Sequence, residues 1–268
     1  MLRRLVPAAL IAATIATPAL AQNRADFRWD KALPAGNEVS IHNINGDITV
    51  IPSTSGKVEV VGIKRGSSQY FDRIKADVQQ TSRGIVICVL DNSADSYCDD
   101  RGMHSDSRND RGSHDRDWNN VSMSLEVAVP TNLVVSASSV SGDVSITGAT
   151  GDVRANSVSG SLKLDRLRAS SVSANTVSGD IEVSIQEFTG RGDLKFNTVS
   201  GDVTLDLPRQ LDADLSMTTV SGDINSDYPL TLGNSRMNRR SIDARIGGGG
   251  RHLDFNTVSG SVKLRAGR

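Results

Sequence analysis

Three aspartates at matching places in a repeated segment, Asp180, Asp202 and Asp223, are the residues whose type and spacing most invite chemistry. Stacked on consecutive coils they would stand roughly 5 Å apart, close enough for a cation such as Ca²⁺ to bridge them. Yet the equivalent places in other copies hold Ser161 and Ser261. Serine is a poor calcium ligand, but it shares with aspartate the ability to accept a backbone N–H bond at a turn. Turn capping is therefore the better reading, and no metal site is expected.

Other candidates weaken in the same way. Asp106, Asp110 and Asp115 lie in a charged stretch, but Arg108 and Arg111 stand where an EF-hand needs an acid or amide and a glycine, and no Glu closes the loop. Arg191-Gly192-Asp193 spells an integrin-recognition tripeptide, yet Gly-Asp recurs along the chain as a corner element, so an Arg before one copy carries little. There is no Gly-x-Ser-x-Gly elbow, zinc motif or phosphate-cradling loop. Neither a catalytic residue nor a cofactor is expected. Cys88 and Cys98 have no CxxC spacing, and His104 and His114 sit at no recognised ligand spacing from them. A disulfide is the expectation; it would close a short loop and contribute about 2–3 kcal/mol.

That expectation depends on compartment. Arg3 and Arg4 precede an apolar run from Leu5 to Thr17, and Ala19-Leu20-Ala21 forms a small-x-small pattern. A signal peptide over residues 1–21, cleaved before Gln22, is expected, with delivery to the periplasm, the cell surface or the medium. The run is too short for a comfortable membrane span, and no later segment reaches that length, so no transmembrane segment is expected. Over the whole chain 30 basic residues face 31 acidic ones. This near-neutral balance argues against nucleic acid as a partner. Aromatics make up 4%, which suits a thin core of aliphatic side chains.

The elements that must position these residues are set by a repeat. Six segments align, running Ala137–Asp143, Ala155–Ser161, Ala174–Asp180, Phe196–Asp202, Met217–Asp223 and Phe255–Ser261, each carrying Val-Ser-Gly before its last residue. Their glycines, Gly142, Gly160, Gly179, Gly201, Gly222 and Gly260, are spaced by 18, 19, 22, 21 and 38 residues, the last being twice 19. A worn copy is expected near Ile246-Gly247. Gly151-Asp152-Val153 and Gly192-Asp193-Leu194 mark half-copies nine residues away. Alternating apolar pairs follow the corners, such as Val144/Ile146, Leu162/Leu164, Ile181/Val183 and Val203/Leu205. Period-two patterning indicates strands with one buried face.

The expected fold is all-β: a single-domain parallel β-solenoid of 18–22-residue coils, right-handed by the crossover rule. The glycines turn the corners. Asn156, Asn175, Asn197 and Asn256 stack outward as an amide ladder, and Val199 and Val203 are expected in a buried aliphatic column. Residues 131–268 form the repeats. Residues 22–130 supply less regular strands, with Asn45-Gly46-Asp47 as a turn between two of them, expected to pack continuously with the solenoid and cover one end, the alternative being a separate small β-sandwich. Within that part, 91–120 is rich in Asp, Arg, Ser and Asn, with Tyr97, Met103 and Trp118 as rare apolar residues; a polar, disordered loop is expected.

The stretch Phe27…Leu33…Gly36…Ile41-His-Asn-Ile-Asn-Gly-Asp-Ile-Thr-Val50, the Thr-Val-Ser-Gly-Asp units and the closing Ile246-Gly-Gly-Gly-Gly…Phe255-Asn-Thr-Val-Ser-Gly-Ser-Val-Lys-Leu264 resemble a bacterial family of proposed adhesins, DUF4097. The resemblance implies a β-solenoid of the cell envelope related to autotransporter adhesin heads, and brings no catalytic residues. The resulting expectation is an exported, non-catalytic binding or structural module with an envelope or extracellular partner, protein or glycan. The alternatives are an accessory of envelope-stress signalling and, behind it, a carbohydrate-active enzyme.

Overall fold

The computed structural model describes residues 25–92, 96–105, 121–232 and 241–267. The expected signal peptide, His114, Trp118, Asp106, Asp110 and Asp115 lie outside them.

Two sheets face one another, joined at their corners by tight turns. The chain opens with β1 (Phe27–Lys31), then β2 (Glu38–Asn45) and β3 (Ile48–Pro52), one on each sheet. Next come β4 (Val58–Gly66), β5 (Ile74–Gln80), β6 (Gly84–Asp91), a hairpin of β7 (Ser96–Asp99) and β8 (Gly102–Ser105), and β9 (Val121–Val129). Four rungs follow: β10 (Val134–Ser141) with β11 (Val144–Thr147), β12 (Val153–Ser159) with β13 (Leu162–Ala169), β14 (Val172–Ser178) with β15 (Ile181–Phe188), and β16 (Leu194–Ser200) with β17 (Val203–Leu207). The end holds β18 (Ala213–Ser221), β19 (Ile224–Ser226), β20 (Thr231–Leu232), β21 (Ser241–Ile246), β22 (Arg251–Ser259) and β23 (Val262–Ala266).

The first sheet runs β1-β4-β9-β3-β11-β13-β15-β17-β23-β19, and the second runs β20-β21-β18-β22-β16-β14-β12-β10-β2-β6-β5. From β6 and β9 to β18 and β19 every neighbour pairing is parallel. Both ends switch to antiparallel pairing: β4 on β9 and β5 on β6 at one, β21 on β18 at the other. The fold is thus a β-solenoid with antiparallel caps.

Alternation sorts each rung. In β16 the residues Leu194, Phe196 and Thr198 point inward and are buried, whereas Lys195, Asn197 and Val199 point outward. Stacked copies make columns: Ala137, Ala155, Ala174, Phe196, Phe255 and Met217 lie in register across neighbouring strands. The opposite sheet supplies Val144, Leu162, Ile181, Val203 and Val262, all fully buried.

Along the stack and its C-terminal cap the structure differs from the sequence reading in four places. Val203 is buried, but Val199 is 46% exposed and belongs to no aliphatic core column. The repeat starts earlier than Ala137: Asn43 to Ile48 pairs in register with Ser139 to Val144, so Asn45-Gly46-Asp47 is the corner of a full rung. Ile246 ends a strand that runs antiparallel to β18, so it is part of the cap rather than a worn copy. Finally, the 38-residue interval is not a missing copy. Strands β22 and β23 insert between the rung of β16 and β17 and the rung of β18 and β19. Asp202 and Asp223 are therefore separated by Ser261 and are not on consecutive rungs.

Arg251 anchors that inserted rung. Its buried guanidinium donates to the carbonyls of Ser170, Gly190 and Gly192 and lies 4.1 Å from the centre of the Phe188 ring. Gly192 belongs to the Arg-Gly-Asp tripeptide, which sits in the turn between β15 and β16 with this carbonyl engaged.

Two stability tests follow from these placements. Val203→Asp should cost about 3 kcal/mol or more, because a charge enters an apolar column, while Val199→Asp should cost under about 1 kcal/mol. Equal losses in urea melts would contradict the inward–outward assignment. Arg251→Ala should cost about 2–4 kcal/mol by stranding three carbonyls, with Arg251→Lys recovering only part because an ammonium lacks the planar fork. Wild-type melting of Arg251→Ala would contradict the anchor.

Candidate binding face

The repeating unit assigns a separate task to each residue around the corner. The residue before each Val is a buried hydroxyl: Ser157, Thr176, Thr198, Thr219 and Thr257 donate to the carbonyls of Gly142, Gly160, Gly179, Gly260 and Gly201 on the neighbouring rung, at 3.0–3.3 Å. At the six corner glycines a Cβ would fall onto a carbonyl oxygen of the rung beside it: Gly142 onto Gly46, Gly160 onto Gly142, Gly179 onto Gly160, Gly201 onto Gly179, Gly260 onto Gly201 and Gly222 onto Gly260. Close approach of backbones, more than the turn itself, demands glycine here.

The corner acids cap across rungs. Asp143, Asp180 and Asp202 each accept, through Oδ1, the backbone N–H of the corner residue on the next rung, namely Ser161, Asp202 and Ser261, at 2.8 Å. Ser261 Oγ takes the same role for Asp223 at 3.4 Å. The N–H of Ser261, followed by the ammonium of Lys263, holds the Asp202 carboxyl below the ordinary aspartate range. No group of three or more His, Cys, Asp or Glu able to hold a metal occurs among the described residues.

Outward from this corner the second sheet presents two neutral columns. Amides form one: Asn175 donates to Asn156, Asn197 to Asn175 and Asn256 to Asn197, at 2.7–3.1 Å. Ser138 and Thr218 continue it at the two ends. The other column is apolar. Val140, Val158, Val177, Val199, Val258 and Val220 stand on six successive rungs and are each 44–52% exposed. The core makes no demand on these positions. A β-branched residue packs well against its neighbours along a ladder, yet threonine would do so too, and all six carry valine.

Each end of the face has its own furniture. Cys88 and Cys98 are joined, with Cα atoms 6.1 Å apart. The β7–β8 hairpin lies over the outer side of β6, where Val86, Cys88 and Leu90 are buried against Cys98 and Met103. Part of the stretch expected to be a loop, residues 96–105, is therefore ordered as a small sheet; 93–95 and 106–120 lie outside the described residues. Beside the hairpin, Ser40 Oγ and His42 Nε2 are 3.0 Å apart. Burial lowers the His42 pKa below 6.5 against the opposing pull of Glu38. At the other end, a groove of about 440 Å³ is lined by Asp214, Ser216, Asp243, Arg245, His252 and Asp254, among others. Its carboxylates are engaged: Asp214 with Arg245 and the Gly250 N–H, Asp243 with Ser216, and Asp254 with Asn256. The Arg245 bond, then that of Gly250, keeps the Asp214 carboxyl below its usual range.

Family comparison matches the Toastrack DUF4097 family over residues 105–190 and 131–265, more than half of the chain. The chain belongs to that family. No curated protein matches it. Among solved structures, a proposed cell adhesion protein from Clostridium sporogenes is similar at 8% identity, with a TM-score of 0.46 over 90% of this chain and 99% of that one. A proposed adhesin from Bacteroides fragilis is similar at 13% identity, with a TM-score of 0.40 over 89% and 96%. No helix among the described residues is long and apolar enough to cross a membrane.

The sequence reading found the amide ladder but missed the valine row and the buried hydroxyls. The signal was present: counting by twos from Phe196 puts Thr198 inside and Val199 outside. An NMR titration should place the His42 midpoint below 6.5, with the ring neutral at pH 7; a midpoint above 6.5 would contradict its burial beneath the hairpin.

Proposed function

We propose that this chain is an exported, non-catalytic module of the bacterial cell envelope, adhesin-like in that it binds a partner through the valine and asparagine columns of its second sheet. One observation carries the reading: six half-exposed valines in a row, beside a row of neutral amides and hydroxyls, at positions the core leaves free. Interface centres are depleted of charge relative to the rest of a surface. Charged columns border this pair on both sides: the corner acids Asp143, Asp180, Asp202 and Asp223 lie beyond the valines, Arg154, Lys195 and Asp254 lie on the far side of the amides, and Lys163, Glu182, Asp206 and Arg265 stand on the other sheet.

The putting together of a rigid stack, capped ends and this face supports a scaffold that displays a surface, as does the engagement of its acidic side chains in structural bonds. Export rests on the Arg3-Arg4 start, the apolar run and Ala19-Leu20-Ala21, and the mature chain should begin at Gln22 when recovered from periplasm or medium. The binding reading is tested by comparing wild type with the Val177→Asp/Val199→Asp double variant on envelope fractions that contain both proteins and glycans. Retention of a component by wild type, with at least about tenfold less on the variant, is expected. Equal retention by both, or none by either, contradicts the reading.

A further inference from the structure

We propose that the β7–β8 hairpin is a redox-latched cover over the N-terminal end of the valine and amide face, fastened by the Cys88–Cys98 bond and lifted when a dithiol reduces it. The inference rests on the reading of that face as the contact surface and adds how its extent is controlled.

The covered ground continues the face. Across the ladder between β10 and β2, Ser138 pairs with His42 and Val140 stands beside Ile44, so both outward columns run on from the repeats onto β2. His42 pairs in turn with Cys88, and Ser40 with Val86, on β6. There the face stops. The hairpin lies on the outer side of β6 and buries Val86, Cys88 and Leu90, so that β6 is buried along both of its sides from Gly84 to Leu90. Gly102 of the hairpin rests against the His42 ring, where a Cβ would fall 2.9 Å from the imidazole. Uncovered, this strand would present a contiguous apolar strip of the kind that marks interaction sites.

The fastening is covalent at one point and light elsewhere. Among the described residues β7 and β8 pair with each other as a separate two-stranded sheet, and a lone hairpin is marginal in water. Its apolar contact is a small cluster, Cys98 and Met103 on Val86, Cys88 and Leu90, set apart from the main core. Arg83 donates to the Asp100 carbonyl at 2.9 Å and Ser96 Oγ to the Asp91 carbonyl. Arg83 and Asp100 are exposed, so water competes for the first of these bonds. The disulfide joins the hairpin directly to β6 and holds the two at high local concentration.

A dithiol reductant supplies the two electrons that release it. Its thiolate attacks Sγ of Cys98, the less buried partner at 8% exposure against 0% for Cys88. Cys88 leaves as a thiolate and takes up a proton. The second thiol of the reductant then displaces Cys98, leaving two cysteine thiols and a cyclic disulfide on the reductant. With the link gone the hairpin leaves β6, and Val86, Leu90 and the His42 ring join the face.

Hydrogen–deuterium exchange tests the cover on oxidised protein, on protein reduced with dithiothreitol and on Cys88→Ala/Cys98→Ala. Amides of residues 96–105 should exchange at least about tenfold faster in the reduced protein and the variant, while those of β12, β14 and β16 keep their protection. The NMR midpoint of His42 should rise toward 6.5 as Gly102 withdraws. Unchanged protection of 96–105 after full reduction, or loss of protection throughout the stack, overturns the inference. Retention of envelope components separates it from the reading on which it rests. Reduced protein should retain at least about threefold more than oxidised protein. Equal or weaker retention after reduction, still abolished by Val177→Asp/Val199→Asp, overturns the cover and leaves the face standing. No retention in either redox form overturns both.

Discussion

The structure depends on how closely backbones approach at one corner. Every rung turns there through a glycine whose missing Cβ leaves room for the carbonyl oxygen of the rung beside it. That approach lets a buried hydroxyl reach the same carbonyl and lets a carboxylate reach the next N–H, so side-chain bonds reinforce the ladder where it bends. An alanine at one corner would push two rungs apart, and the cross-rung bonds at that corner would lengthen together. Because each rung repeats the solution of the last, the corner also fixes the columns: hydroxyl inside, valine outside, amide beside it.

Parallel stacking of this kind leaves open strand edges at both ends, which invite pairing with other chains. The chain meets this by leaving the repeat. At the start, β4 runs antiparallel along β9, with β1 antiparallel to β4 in turn, and β5 runs antiparallel along β6; at the finish, β21 does the same along β18, while the first sheet ends on the three-residue β19. The finish has an added twist, because the outermost rung is laid down before the rung beneath it. Residues 251–266 close the stack by filling a gap, and Arg251 ties that last piece to turns two rungs away in sequence.

Much of this was legible in the residues. The Val-Ser-Gly-Asp unit, the alternating aliphatics and the asparagine ladder are local patterns, and they gave the class of fold and the structural role of the corner acids. Three things were not local. Asn43-Ile44-Asn45-Gly46-Asp47 is a corner in which asparagines replace the hydroxyls and Ile replaces Val, so it reads as an isolated turn until β10 is seen beside it. The order of the last three rungs depends on pairing across dozens of residues, and a 38-residue gap looks like a decayed copy. Val199 misled for a different reason: apolar residues are assumed to point inward, although a folded surface carries many that do not. Here the hydroxyl of Thr198 takes the inner place because it has a carbonyl to bond.

The order of the final rungs is the boldest claim made by the stack, and engineered cysteine pairs address it without reference to function. Asn197→Cys with Asn256→Cys places two cysteines on directly paired strands, within the roughly 4.4–6.8 Å Cα separation a disulfide spans. Asn197→Cys with Thr218→Cys places them two rungs apart, about 9–10 Å, although residue 218 comes sooner along the chain. The account predicts bridging in the first pair and free thiols in the second after mild oxidation. Bridging of 197 to 218 with 256 left free would show a stack wound in simple sequence order and would contradict it.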